Sequence, residues 1–205
     1  MSRSPLAHLL PRTGPSAATG ERRFRVDNVT WDQYAALRRL LDEVPGLRIT
    51  YLEGMLELMS PSEEHERVKK TTARLVEAYA EEMDLPLNGF GSATYRKKAR
   101  HRGLEPDECY VLGPKKKRVP DLAIEVVLTS GGIDRLDVYR GLGVPEVWFW
   151  RGGKFSVHHL GPRGYETVRS SLVLPGLDFA LLARFVRRAD QTAAVKAFRQ
   201  ALHRR

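Results

Sequence analysis

The chain has 205 residues, 42% hydrophobic and 29% charged, which fits one globular domain with tails and a substantial core. Its one cysteine, Cys109, excludes a disulfide framework and a cysteine-rich zinc site, and with no secretory signal pattern it points to a buried thiol in a reducing, cytoplasmic setting. No apolar run approaches the roughly 18 to 20 residues that cross a bilayer, so no membrane partner is expected. The net charge of +9 sits mostly at the ends: residues 1–25 carry +4, residues 184–205 carry +6 and the middle carries −1, a pattern that fits solvated tails better than dedicated nucleic-acid arms.

Residues 1–20 are rich in Pro, Gly, Ser, Ala and Thr without apolar periodicity and read as a disordered leader. Thr30 then caps a helical stripe of Trp31, Tyr34, Leu37, Leu40 and Leu41, stopped by Pro45-Gly46. Two strands follow, Arg48 to Leu52 and Met55 to Met59, joined at Glu53-Gly54. A helix start is read at Ser60 as N-cap, with Pro61 in the first turn and Glu63 closing a capping box. Its inward stripe is His65, Val68, Thr72, Leu75, Val76, Tyr79 and Met83, and Pro86 ends it. A β-rich section runs from Asn88 to about Leu128, and a helix from about Ile133 to Leu142 ends at Gly141-x-Gly143. Strands are expected at Glu146 to Trp150, Phe155 to Leu160 and Tyr165 to Val168, with Gly152-Gly153 as a hairpin turn. A basic helix from about Gln191 to His203 closes the chain. The domain reading is a leader over 1–20, one domain over 21–186, and a C-terminal helix within 187–205.

The chemistry concentrates between residues 105 and 127. A strand ending at Leu112, a turn of Gly, Pro and Lys, and a strand beginning at Val119 make an antiparallel hairpin. A turn centred near Lys116 places Asp107 opposite Glu125, and opposed residues on one face have Cβ atoms about 4.5 to 5.5 Å apart. Two carboxylates at that distance repel or raise a pKa, and a hard divalent cation with oxygen ligands, Mg²⁺ or Mn²⁺, relieves the repulsion. Glu125 lies in the apolar run Leu122 to Leu128, so it is a buried carboxylate that pairs either with a cationic side chain or with a metal. Asp121 forms a second Pro-Asp step, but its four-residue offset from Glu125 is about 13 Å along a strand. Asp107 is the better partner.

His65 sits in the first turn of its helix on the buried stripe, where a satisfied core or cap histidine is the commoner role than a ligand. His158 and His159 are adjacent on a strand and point to opposite faces. Trp148, Phe149 and Trp150 read as strand packing, and Gly131-Gly132 is a weak anion-site signal only. Basic clusters at Arg96, Lys97, Lys98 and Arg100 and at Lys115, Lys116 and Lys117 flank the acidic positions and could bind backbone phosphates. A solvated loop is an equal account of the second cluster.

Three stretches carry a family resemblance: YLEGMLELMSPSEEHERV near residue 51, EPDECY near 105, and VPDLAIEVVLTSGGIDRLDVYRGLGVPEVWFW near 119. Through them residues 47 to about 186 resemble the Uma-two family of the PD-(D/E)xK restriction-endonuclease-like superfamily. The resemblance implies an α/β (α+β) fold: a mixed sheet of about four or five strands flanked by helices, with an N-terminal helix and β-hairpin added. It implies that Asp107 and Glu125 are catalytic and hold Mg²⁺ or Mn²⁺, with His65 beside them. The family's lysine is commonly displaced to the helix after the third motif, and the matching position here is Arg135, a fixed cation that can stabilise developing charge but cannot act as a base. The resulting expectation is a metal-dependent endonuclease hydrolysing DNA phosphodiester bonds. The alternative is a catalytically inactive domain of the same fold that binds nucleic acid or a protein partner. Either admits a homodimer.

Overall fold

The structure, a computed structural model, describes residues 20–41, 44–114, 117–129 and 132–204. The leader expected over 1–20 therefore lies almost wholly outside the described residues, as do Lys115 and Lys116. In chain order the elements are β1 (Arg22–Val26), α1 (Trp31–Leu41), β2 (Arg48–Leu52), β3 (Met55–Ser60), α2 (Glu63–Glu82), β4 (Leu87–Gly89), β5 (Tyr95–Lys97), a short 3₁₀ turn at Lys98–Arg100, and β6 (Arg102–Leu104). They continue with β7 (Glu108–Leu112), β8 (Leu122–Val127), α3 (Arg135–Leu142), β9 (Glu146–Arg151), β10 (Lys154–Gly161), β11 (Gly164–Val168), α4 (Phe179–Val186) and α5 (Gln191–Leu202).

The strands form two sheets. A five-stranded antiparallel sheet has the order β1-β3-β2-β6-β5, and a six-stranded mixed sheet has the order β11-β10-β9-β8-β7-β4. This is the mixed α+β architecture of a restriction-endonuclease-like fold, with a central sheet wider than four or five strands. Within it β8 and β9 are parallel. A parallel pair requires a crossover, and α3 supplies it.

Alternation along the strands separates two cores. Leu122, Ile124 and Val126 of β8 and Trp148 and Trp150 of β9 face α2, α4 and α5, joining Leu75, Val76, Leu182, Phe185 and Phe198 in the larger cluster. Ala123 and Val147 face the other way, onto Val138, Tyr139 and Leu142 of α3 and onto Leu52 and Leu104 of the smaller sheet. Glu125 shares the parity of Ala123, so it belongs to the α3 face. Cys109 is fully buried and unpaired.

Two details of the helices differ from expectation. Ser60 is the last residue of β3, and Ser62 is the true N-cap of α2, accepting from the His65 N–H at 3.1 Å. Pro61 follows the strand, and its preference for extended neighbours keeps Ser60 in β3. Met83, expected on the inward stripe, is instead the exposed C-cap. By contrast Thr30 caps α1 as read, with Gln33 N–H donating to its hydroxyl and the Gln33 side chain accepting from Thr30 N–H.

Candidate functional site

The hairpin of β7 and β8 pairs Glu108 with Ile124 and Cys109 with Ala123. Extended by one residue, this register sets Asp107 opposite Glu125, as the turn symmetry predicts. Asp107 precedes β7, in a segment whose neighbour Glu105 is fixed by Arg38 at 2.5 Å and by the Thr94 hydroxyl at 3.1 Å. Both carboxylates are buried, with Asp107 1% and Glu125 0% exposed.

Asp107 accepts two hydrogen bonds. One comes from the Val126 N–H at 2.8 Å, which ties it across to β8, and one from His65 Nε2 at 2.9 Å. The other ring nitrogen of His65, Nδ1, donates to Glu21 at 2.8 Å. A histidine between two carboxylates holds its proton: burial alone would depress its pKa, but the bonds to Asp107 and Glu21 outweigh burial and lift it to about 9. The same imidazolium lowers Asp107 to about 2 and, with Thr129 and Arg23, lowers Glu21 to about 2, in both cases against the opposing effect of burial.

Glu125 has a different environment. Arg135 donates to one oxygen and the Tyr139 hydroxyl to the other, both from α3. Burial and the charge of Asp107 nevertheless push its pKa up to about 7, because Arg135 and Tyr139 offset only part of the cost. Arg135 is itself buried, 6% exposed, with Nη2 3.8 Å from Glu57.

Glu57 on β3 completes the enclosure. It accepts from Arg23 at 3.0 Å and from the Ile133 N–H at 3.1 Å, which docks the segment leading into α3 against the smaller sheet. A side chain at Gly132 could not fit there, since a Cβ would lie 2.4 Å from Arg23 and 2.6 Å from Glu57. The site thus contains four carboxylates, Glu21, Glu57, Asp107 and Glu125, against three cations, Arg23, His65 and Arg135. It carries one more acid than base.

That surplus fits a hard cation. The donors are oxygens, the two opposed carboxylates lack a full complement of counter-charge, and Mg²⁺ sites commonly use one or two carboxylates with water and substrate phosphate. Among the described residues no three His, Cys, Asp or Glu are grouped to hold a metal by themselves. Each carboxylate oxygen of the pair already accepts a hydrogen bond, so a cation would replace some of those donors.

The basic positions divide. Arg96 and Lys97 lie on β5 and Lys98 and Arg100 in the following turn; Lys97 and Arg100 line a cavity of about 620 Å³ with Arg102 and Arg140. This cavity adjoins the C-terminal end of α3, whereas Arg135 begins that helix; eight residues of helix span about 12 Å. The structure does not bring this cluster to the carboxylates. Lys117 pairs with Asp121 at 2.7 Å, and Asp121 accepts from the Leu112 N–H, so the second Pro-Asp step braces the hairpin turn.

Sequence reading missed Glu21, Arg23, Glu57 and Tyr139. Only Tyr139 had a local signal, lying one helical turn after Arg135 on the same face.

With this geometry in place, the comparison with known families is informative. A family model, Uma2, whose description reads "Putative restriction endonuclease", matches residues 31–189. The chain belongs to the Uma2 family. All of Asp107, Glu125, His65, Glu57, Arg135 and Tyr139 fall inside the match. No curated protein matches the sequence. Among the described residues, no helix is long and apolar enough to cross a membrane.

Proposed function

We propose that this Uma2-family chain is a metal-dependent endonuclease that hydrolyses DNA phosphodiester bonds, with Asp107, Glu125 and Arg135 at its catalytic centre and His65 supporting Asp107. The observation that carries this reading is the convergence of Asp107 and Glu125 from adjacent strands beside the buried guanidinium of Arg135. Asp107 and Glu125 would hold Mg²⁺ or Mn²⁺. Such an ion, when bound, polarises the phosphate and lowers the pKa of water.

The protein's own groups have distinct tasks. His65, fixed by Glu21, holds Asp107 ionised and in one orientation. Tyr139 orients the Glu125 carboxyl through the hydrogen bond from its hydroxyl. Arg135 stays charged at every working pH, so it supplies fixed positive charge to phosphoryl oxygens and does not transfer protons. The cluster at Arg96, Lys97, Lys98 and Arg100, set apart from the carboxylates, is a phosphate-contact surface for flanking duplex, and the Lys115, Lys116 and Lys117 run of the sequence would add backbone-phosphate contacts. The composition and the reducing setting read from Cys109 suit a cytoplasmic protein, and a homodimer would let two such sites address both DNA strands.

The second reading, an inactive nuclease-fold domain that binds nucleic acid or protein, draws on the hydrogen bonds that already occupy all four carboxylate oxygens. A calorimetric Mn²⁺ titration with a short mixed-sequence duplex separates the two. Wild type is expected to bind Mn²⁺, and Asp107→Ala and Glu125→Ala to lose it, with duplex nicking following the same order. Absence of Mn²⁺ binding in wild type with DNA present, or normal binding in either variant, removes the metal site and favours the inactive reading.

A further inference from the structure

The strand register carries the carboxylate pair onward across the sheet. Glu125 pairs with Phe149 on β9, and Phe149 pairs with Ser156 on β10, so Asp107, Glu125, Phe149 and Ser156 form one row across four strands on the α3 face. Phe149 parts company here from its neighbours: Trp148 and Trp150 lie in the opposite core, while Phe149 is half-buried. At the outer end of the row is a cleft of about 460 Å³, lined by Phe149 and Ser156 together with Arg23, Arg135, Arg151 and His158. Small-molecule sites range over roughly 300 to 1,000 Å³.

Two observations say what the cleft takes. Its polar wall offers Arg151, exposed with no carboxylate partner among the described residues, whereas the guanidinium of Arg135 is buried against Glu125 and the Asp134 carboxylate caps α3. Arg23 also lines the cleft, but its guanidinium is held by Glu21 and Glu57. Its floor is aromatic and neutral, with His158 edge-on to Phe149 at a ring separation of 5.5 Å and held by Ser156 at 3.1 Å and Thr167 at 3.2 Å. The N-terminus of α3 contributes no anion-binding donors, because Asp134 already accepts from Leu136 and Asp137. The larger cavity at the other end of α3 also has basic residues and an imidazole, His101, but it lies away from the row that carries the carboxylate pair.

We infer that this cleft is a single-nucleotide subsite: Arg151 holds a phosphate, and Phe149 with His158 receives the attached base, next to the carboxylate pair. Guanidinium groups recognise phosphate through paired N–H donors, and base–aromatic contact tolerates any base, so the subsite positions the strand without reading sequence. The inference deepens the endonuclease reading and rests on it for its biological meaning, but the binding event needs no metal.

The test is therefore run in EDTA. Thymidine 3′,5′-bisphosphate is titrated against the full chain by calorimetry, with inorganic phosphate alone as the second probe. The bisphosphate is expected to bind more tightly than phosphate. Arg151→Gln, an exposed position whose change leaves the core intact, is expected to weaken both probes about tenfold, the loss of one charge-assisted contact. Phe149→Leu is expected to weaken the bisphosphate while sparing phosphate. Equal affinity for the two probes would reduce the cleft to a bare anion patch and overturn the subsite, as would no binding of either, or variants that bind like wild type. A chain that binds no Mn²⁺ yet binds the bisphosphate keeps the subsite and loses the nuclease reading; the reverse result keeps the nuclease reading and loses the subsite.

Discussion

Two glutamates are buried on adjacent parallel strands, Glu125 on β8 and Glu146 at the start of β9, at 0% and 1% exposure. Glu146 is surrounded by donors. Trp148 Nε1 donates at 2.6 Å, Leu172 N–H at 2.8 Å and the Ser171 hydroxyl also donates, while His159 Nε2 lies 2.9 Å away. It ties the segment before α4 to the sheet, with no second carboxylate opposed to it. Glu125 has two donors and an acid across from it. Burial of a carboxylate therefore does not by itself mark chemistry; what distinguishes Glu125 is like charge placed beside it and left incompletely compensated.

The comparison can be broken most sharply at Arg135. Arg135→Ala leaves Glu125 buried without its cation and is expected to cost about 3 to 5 kcal/mol in urea unfolding at pH 8. The cost should shrink at pH 5, because Glu125, raised to about 7, is then neutral. An equal cost at both pH values would mean that Arg135 acts through packing or through Asp107 and Glu57, and not through the charge of Glu125. Next in size, Glu146→Ala strands several buried donors and is expected to destabilise by about 3 kcal/mol. It should leave the Mn²⁺ isotherm of the Asp107–Glu125 pair unchanged, and a lost isotherm would join the two glutamates into one functional unit.

The third effect is a slope. His65, at about 9 when folded, is raised above the ordinary histidine value near 6.5, so its contribution to stability is complete below pH 6.5 and disappears as pH rises through 9. Unfolding free energy measured in EDTA should fall across that window in wild type and stay flatter in His65→Gln. A wild-type profile that is flat there would mean that His65 is neutral between its two acids.

The legible part of the site was what one hairpin could fix. Turn symmetry about residue 116 gave the Asp107–Glu125 opposition, whereas Arg135 came from the family resemblance and not from the hairpin. Glu21 and Glu57 were not legible, because they arrive just before β1 and on β3 of the other sheet, and nothing in ERRFRV or MLELMS signals which strand they will meet. The six-residue β3 places Glu57 between two largely apolar neighbours, a pattern that alternation would assign to an outward face. Among the helices, α4 went unread since FALLARFV spans only eight residues, about two turns, with Arg184 the one charged residue marking its outer face. The cap of α2 moved from Ser60 to Ser62 because two serines flank Pro61 and only backbone pairing of β3 with β1 decides between them.

The strand β1 has a practical consequence for anyone who trims the protein. The family match begins at residue 31, while Glu21 and Arg23 lie before it. A fragment cut at the family boundary would retain both acids of the hairpin, Asp107 and Glu125, yet His65 would keep only one of its two anionic neighbours and Glu57 would lose Arg23. Its metal affinity and its pH optimum would describe the fragment, and a negative activity assay on it would say nothing about the intact chain.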